Sequence, residues 1–126
     1  MFEQLIQYND VGLFILRLAV AVIFIFHSLP KLKNAKGMAQ MMGTSANMVL
    51  ALGLVEFFSS VGLISGFYIQ FSALLLAIVM VGAIWFKSMK WKIPFVAMDK
   101  TGWEFDLILL AANIVILFGG GGTIRI

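Results

Sequence analysis

The chain has 126 residues, a length suited to one domain, spanning 1–126. It is 62% hydrophobic and only 12% charged, where soluble domains carry about 25% charged residues; a chain this apolar cannot coat a water-soluble surface, so lipid is its expected solvent. Its net charge is +3, and seven of its nine basic residues fall in two short stretches, which suits membrane orientation and leaves no basic face for nucleic acid.

The first apolar run covers residues 11–29. Its 19 residues rise roughly 28 Å at about 1.5 Å each, near the hydrocarbon thickness. Pro30 is expected to stop it. Glu3 and Asp10 precede the run where a cleavable signal would carry positive charge, so it reads as a retained span. Residues 35–42 suit a short interfacial helix. Its methionines Met38, Met41 and Met42 are expected to fill an apolar interface rather than bind a soft metal.

The second run, 46–66, follows Thr44 and Ser45, which can cap its start. The third, 69–86, is separated from it by only Phe67 and Tyr68, so the two helices must be antiparallel neighbours. The stretch from Trp85 to Lys92, holding Lys87, Lys90 and Trp91, mixes lysine with tryptophan and suits the headgroup layer, as does Trp103. The fourth run, 103–118, ends in four glycines, which suit a helix end; no strand precedes them and no lysine follows, so they are not a phosphate loop. The expected fold is all-α: an antiparallel four-helix transmembrane bundle. Basic residues favour the cytoplasm, which puts both basic loops inside and both termini, with Arg125, outside the cell membrane.

Ionisable groups inside the runs carry the most information. A charge at mid-membrane costs about 2.5–3.5 kcal/mol on insertion scales and marks a paired or functional position. Glu56 lies about 15 Å below the start of its helix and Arg17 about 9 Å below the start of its own. Their levels differ by about 6 Å, so they are expected to pair directly or through water. His27 and Lys31 are four apart and share a face. Glu104 and Asp106 open the fourth run at the same end, where the helix dipole favours carboxylates. Asn113 lies deeper on the Asp106 face. Arg17, His27, Lys31, Glu56 and Glu104 form the candidate polar site, with Asp106 and Asn113 secondary. Such groups can tie helices together by hydrogen bonds or form a proton-conducting or headgroup-binding pocket.

Other chemistry finds little support. One histidine cannot supply bis-histidine haem ligation or a typical zinc site, so no metal is expected. The absence of cysteine excludes disulfides, thiol redox chemistry and thiolate-held iron–sulfur clusters.

The same residues carry a family resemblance. Arg17-Leu18 followed by His27-Ser28-Leu29-Pro30-Lys31-Leu32, then Gly53-Leu54-Val55-Glu56 with small residues to Gly62 and Gly66, then Gly102-Trp103-Glu104-Phe105-Asp106-Leu107 and the glycine-rich end at 119–123 together resemble the DoxX/DoxD-like family of small membrane proteins. Ser28 stands where the family usually has glycine, and the glycine-rich end lacks the proline common in relatives. The resemblance implies a four-helix bundle associated with oxidoreductases, such as thiosulfate:quinone oxidoreductase and quinol oxidase assemblies, or a complex joining thiol and superoxide defence. A quinone and proton site would fit the polar cluster, in which a protonatable His27 or Glu56 could exchange protons with a quinone carbonyl. No other cofactor is evident. Enzyme activity would be at most that of a non-autonomous subunit, with redox proteins or other membrane subunits as partners beside the bilayer. The alternatives are a purely structural or assembly subunit and, last, a small carrier or channel, since the paired broken helices of inverted-repeat transporters are missing.

Overall fold

A computed structural model describes residues 2–124 of the chain; Arg125, assigned above to the outer side, lies outside them. The described residues are helical and loop, with no strand. A 3-10 turn over Glu3–Tyr8 leads into α1, Asn9–Lys33. The short α2, Ala35–Met42, follows, then α3, Ala46–Ser65, α4, Ile69–Trp85, and α5, Trp103–Gly119.

The helix ends follow local chemistry. Asn34 caps α2 by accepting from the Gly37 N–H at 3.3 Å, and Ser45 caps α3 by accepting from the Met48 N–H at 3.2 Å. Gly43, Gly66 and Gly120 close α2, α3 and α5 in the left-handed region. Pro30 does not stop α1. The helix runs on for three residues, and the Asn34 N–H donates to the Pro30 carbonyl at 2.8 Å. Proline removes its own N–H and crowds the carbonyl four residues back, but it leaves its carbonyl free to close the next turn. That last turn places Lys31 above His27.

Three helical stretches are long and apolar enough to cross a membrane: Glu3–Lys33, Ala46–Ser65 and Ile69–Lys90. The helix α5 has 17 residues and rises about 25 Å.

α1 packs mainly on α3 and α4 mainly on α5, while α3 packs on α4, α2 lies against the start of α3, and α1 touches α5 more lightly. The core they enclose holds Val20, Ala21 and Phe24 of α1, Leu63 of α3, Ala73, Leu76 and Met80 of α4, and Leu109 and Ile116 of α5. In lipid this close fit acts through dispersion rather than exclusion of water. α1 comes close to α3 at Gly53, where a Cβ would meet Lys31 Cβ at 3.0 Å and Leu32 Cδ2 at 3.1 Å.

Gly53→Leu should therefore wedge α1 from α3 and cost about 1–3 kcal/mol, the usual range for overpacking. Reversible unfolding in mixed micelles measures this; unchanged stability would show that the two helices do not meet there.

Candidate functional site

Two ion pairs meet a single cavity at the end of the molecule that carries the basic loops. In the first, Lys31 of α1 donates from Nζ to both carboxylate oxygens of Glu56 on α3, at 2.6 and 2.8 Å. The Glu56 side chain is 1% exposed. In the second, Lys87 Nζ lies 2.7 Å from Asp106 Oδ2 of α5, and that carboxylate is also buried. His27, Lys31, Glu56, Lys87 and Asp106 all border a cavity of about 410 Å³. The remaining lining is apolar and soft, including Met38, Met42, Met48, Met80, Phe86 and Trp91. The His27 ring lies tilted against Phe105 at 5.6 Å between centroids.

Local structure explains how each group arrives. His27 and Lys31 follow one face of α1 at a spacing of four. Lys87 is delivered by a single π-helical turn, Phe86–Lys90, that continues α4. There the Trp91 N–H donates to the Phe86 carbonyl at 2.8 Å, five residues back. Such turns are rare and recur at functional sites.

The depth comparison of Arg17 with Glu56 fails, because the two do not pair. Arg17 donates from Nε to the Leu63 carbonyl at 2.8 Å and from Nη1 to the carbonyls of Gly121 and Ile124 at 3.1 and 2.7 Å. Its guanidinium carbon also lies 5.2 Å from the Phe14 ring centroid. The comparison took the starts of α1 and α3 as opposite edges of one slab. The first turns of α3 instead lie beside α2, and Gly53 meets Lys31. This register sets Arg17 level with the end of α3, where helix carbonyls lack partners, and sets Glu56 within reach of Lys31.

Glu104 is the second correction. It is exposed, and Asp106 takes the inward place. Positions two apart on a helix point to nearly opposite sides, and Asp106 shares its face with buried Leu109, Asn113 and Ile116. Asn113 is fully buried below the cavity and donates from Nδ2 to the Leu109 carbonyl at 2.9 Å, while its Oδ1 has no hydrogen-bond partner.

The Trp85–Lys92 stretch divides. Trp85 and Lys92 are exposed. Lys87 turns inward to Asp106 instead of toward headgroups, because Asp106 is the carboxylate within its reach. Trp91 also lines the cavity. Its Nε1 donates to the Met42 carbonyl at 3.3 Å, and Lys90 Nζ donates to the Gly43 carbonyl at 2.9 Å. Trp103 sets its ring edge against Phe95, 4.5 Å between centroids. Periodicity gave no warning of the π turn that redirects Lys87. The methionines carried a signal, since Met38 and Met42 are four apart on one face of α2.

The DoxX family profile matches residues 12–89, more than half of the chain. The chain belongs to the DoxX family. No curated protein and no solved structure matches it. The matched stretch contains Arg17, His27, Lys31, Glu56 and Lys87, so every ionisable group of the cavity except Asp106 lies within the part this DoxX chain shares with its family.

Breaking one partner of a buried ion pair leaves an uncompensated charge and costs about 3–5 kcal/mol, whereas replacing both partners is close to neutral. Lys31→Met alone should be strongly destabilising, and Lys31→Met with Glu56→Leu should recover most of the loss. Unfolding of the two variants in micelles compares them; equal losses would mean that Glu56 does not depend on Lys31.

Proposed function

We propose that this DoxX protein is a non-autonomous membrane subunit of a quinone-linked oxidoreductase complex, and that the cavity receives a quinone headgroup. The observation that carries this reading is the pairing of each cavity lysine with its own carboxylate at 2.6–2.8 Å. The formal charges cancel, so an anionic ligand finds no free cation, while a neutral, dipolar ligand finds donors on two sides. A volume of about 410 Å³ lies in the range of small-molecule sites, which are mostly apolar with a few placed polar groups. The thioethers and the rings of Phe86 and Trp91 suit a flat aromatic face.

In this reading all four long helices cross the bilayer as an antiparallel bundle, with α5 as the fourth crossing. The basic loops face the cytoplasm and both termini lie outside the plasma membrane, following the lysine bias of the loops. A bound quinone supplies two carbonyl oxygens that accept hydrogen bonds and take up protons when electrons arrive. Lys31 and Lys87 orient those oxygens with the N–H bonds not used on Glu56 and Asp106. His27, which borders the same cavity, exchanges a proton at a ring nitrogen. The methionine and aromatic wall keeps water from the polar groups. Electrons come from a partner redox subunit.

A structural or assembly role is the second reading. It is favoured by the way the two ion pairs join α1 to α3 and the end of α4 to α5, as interhelical ties do. A carrier or channel ranks below both, because Phe24, Leu63, Leu76 and Ile116 are fully buried between the cavity and the Arg17 end.

Photolabelling with an azidoquinone should mark peptides bearing His27 and Glu56. The label should fall sharply in a His27→Ala, Glu56→Gln double variant. Unaltered labelling in that variant would overturn the quinone reading, and normal activity of the assembled complex carrying it would establish the structural one.

A further inference from the structure

The cavity is not enclosed on all sides, and its composition changes across it. The ionic wall comes from α1, the middle of α3, the π turn and α5. The opposite wall is apolar and comes from the facing sides of α3 and α4, with Met48 and Leu52 on one and Ile78, Val79, Gly82 and Ala83 on the other. On this side the wall is open: Met48 keeps 47% and Ile78 59% of its surface uncovered, although both line the cavity. At Gly82, also exposed, a Cβ would meet nothing within 4 Å. The other way out, toward the basic loops, is bridged. Lys90 donates to the Gly43 carbonyl and Trp91 to the Met42 carbonyl, tying the end of α2 to the π turn across that mouth.

We infer that the gap between α3 and α4 at Gly82 is a lateral portal through which the apolar tail of a lipophilic ligand leaves the cavity for the bilayer. The inference rests on the quinone reading of the cavity and narrows the ligand class to quinones with a long apolar tail. Both helices that frame the gap have the length and apolarity to cross a membrane, so the opening faces hydrocarbon. An apolar chain held there keeps contact with lipid along its length while its polar head meets Lys31 and Lys87. A glycine within a helix weakens it relative to residues with side chains. At Gly82 no neighbour requires the missing Cβ, unlike at Gly53. The consequence of glycine at this position is therefore an unblocked gap.

The test uses two azidoquinones, one carrying a long isoprenoid tail and one without it, on the full chain in liposomes. Wild type should be labelled by both, and the tailed probe more strongly. Gly82→Leu places its side chain in open space and raises helix propensity, so the fold is retained, and Gly82→Ala serves as the small control. Gly82→Leu should lower labelling by the tailed probe about tenfold, the effect of excluding about two methylenes from an apolar site. Labelling by the tail-less probe should stay at the wild-type level, and Gly82→Ala should label as wild type with both. Equal labelling of wild type and Gly82→Leu by the tailed probe would overturn the portal while leaving the quinone site intact. Loss of both labels in Gly82→Leu would also overturn it, since the position would then shape the headgroup site. Failure of both probes to label wild type would remove the quinone reading and the portal together.

Discussion

An ionised side chain surrounded by hydrocarbon must meet an opposite charge or a set of hydrogen-bond partners, and the rest of this structure depends on how that demand is met. Glu56 sits near the middle of α3 with almost no exposed surface, and Lys31 meets both of its oxygens. To bring that lysine into reach, α1 has to continue past Pro30, and α3 has to approach closely enough that a Cβ at position 53 would crowd Lys31 and Leu32. The backbone path of two helices thus follows from one buried carboxylate. The pair Lys87–Asp106 applies the same demand at the junction of α4 and α5 and is met by a change of helix type rather than by proximity of two regular helices.

Arg17 answers the demand differently at the other end. It spends its donors on backbone carbonyls of Leu63, Gly121 and Ile124 and so fastens the C-terminal segment across the ends of α1 and α3. Gly121 permits this closeness. Its φ is +71°, and a Cβ there would meet Ile69 Cγ2 at 2.5 Å and Arg17 Cδ at 3.0 Å. Thr123 adds a second tie by donating to Asp10 Oδ2 at 2.8 Å. The C-terminal segment is thus held at this end by Arg17 and Thr123.

Much of this was legible in the sequence where a single helix decides the outcome. The short helix α2, the serine cap of α3, the short link at Phe67 and Tyr68, and the shared face of His27 and Lys31 follow from local spacing and capping chemistry. The demand that Glu56 be partnered was legible too, but its partner was not. Choosing between Arg17 and Lys31 requires the register of α1 on α3, which depends on where α3 begins relative to α2. The preference for Asp106 over Glu104 could have been read from the stripe formed with Leu109, Asn113 and Ile116. The inward turn of Lys87 could not, since no periodic pattern marks a single π turn. The DoxX resemblance covered the same polar residues but did not assign their partners.

The pairing of buried charges is tested most directly by cross-linking, for which the cysteine-free chain needs no background substitutions. Replacing both partners at once also avoids a stranded charge. In membranes, a short thiol-specific cross-linker should bridge Lys31→Cys with Glu56→Cys and Lys87→Cys with Asp106→Cys, and should leave Arg17→Cys with Glu56→Cys unlinked. Bridging of positions 17 and 56, with none between 31 and 56, would contradict the account.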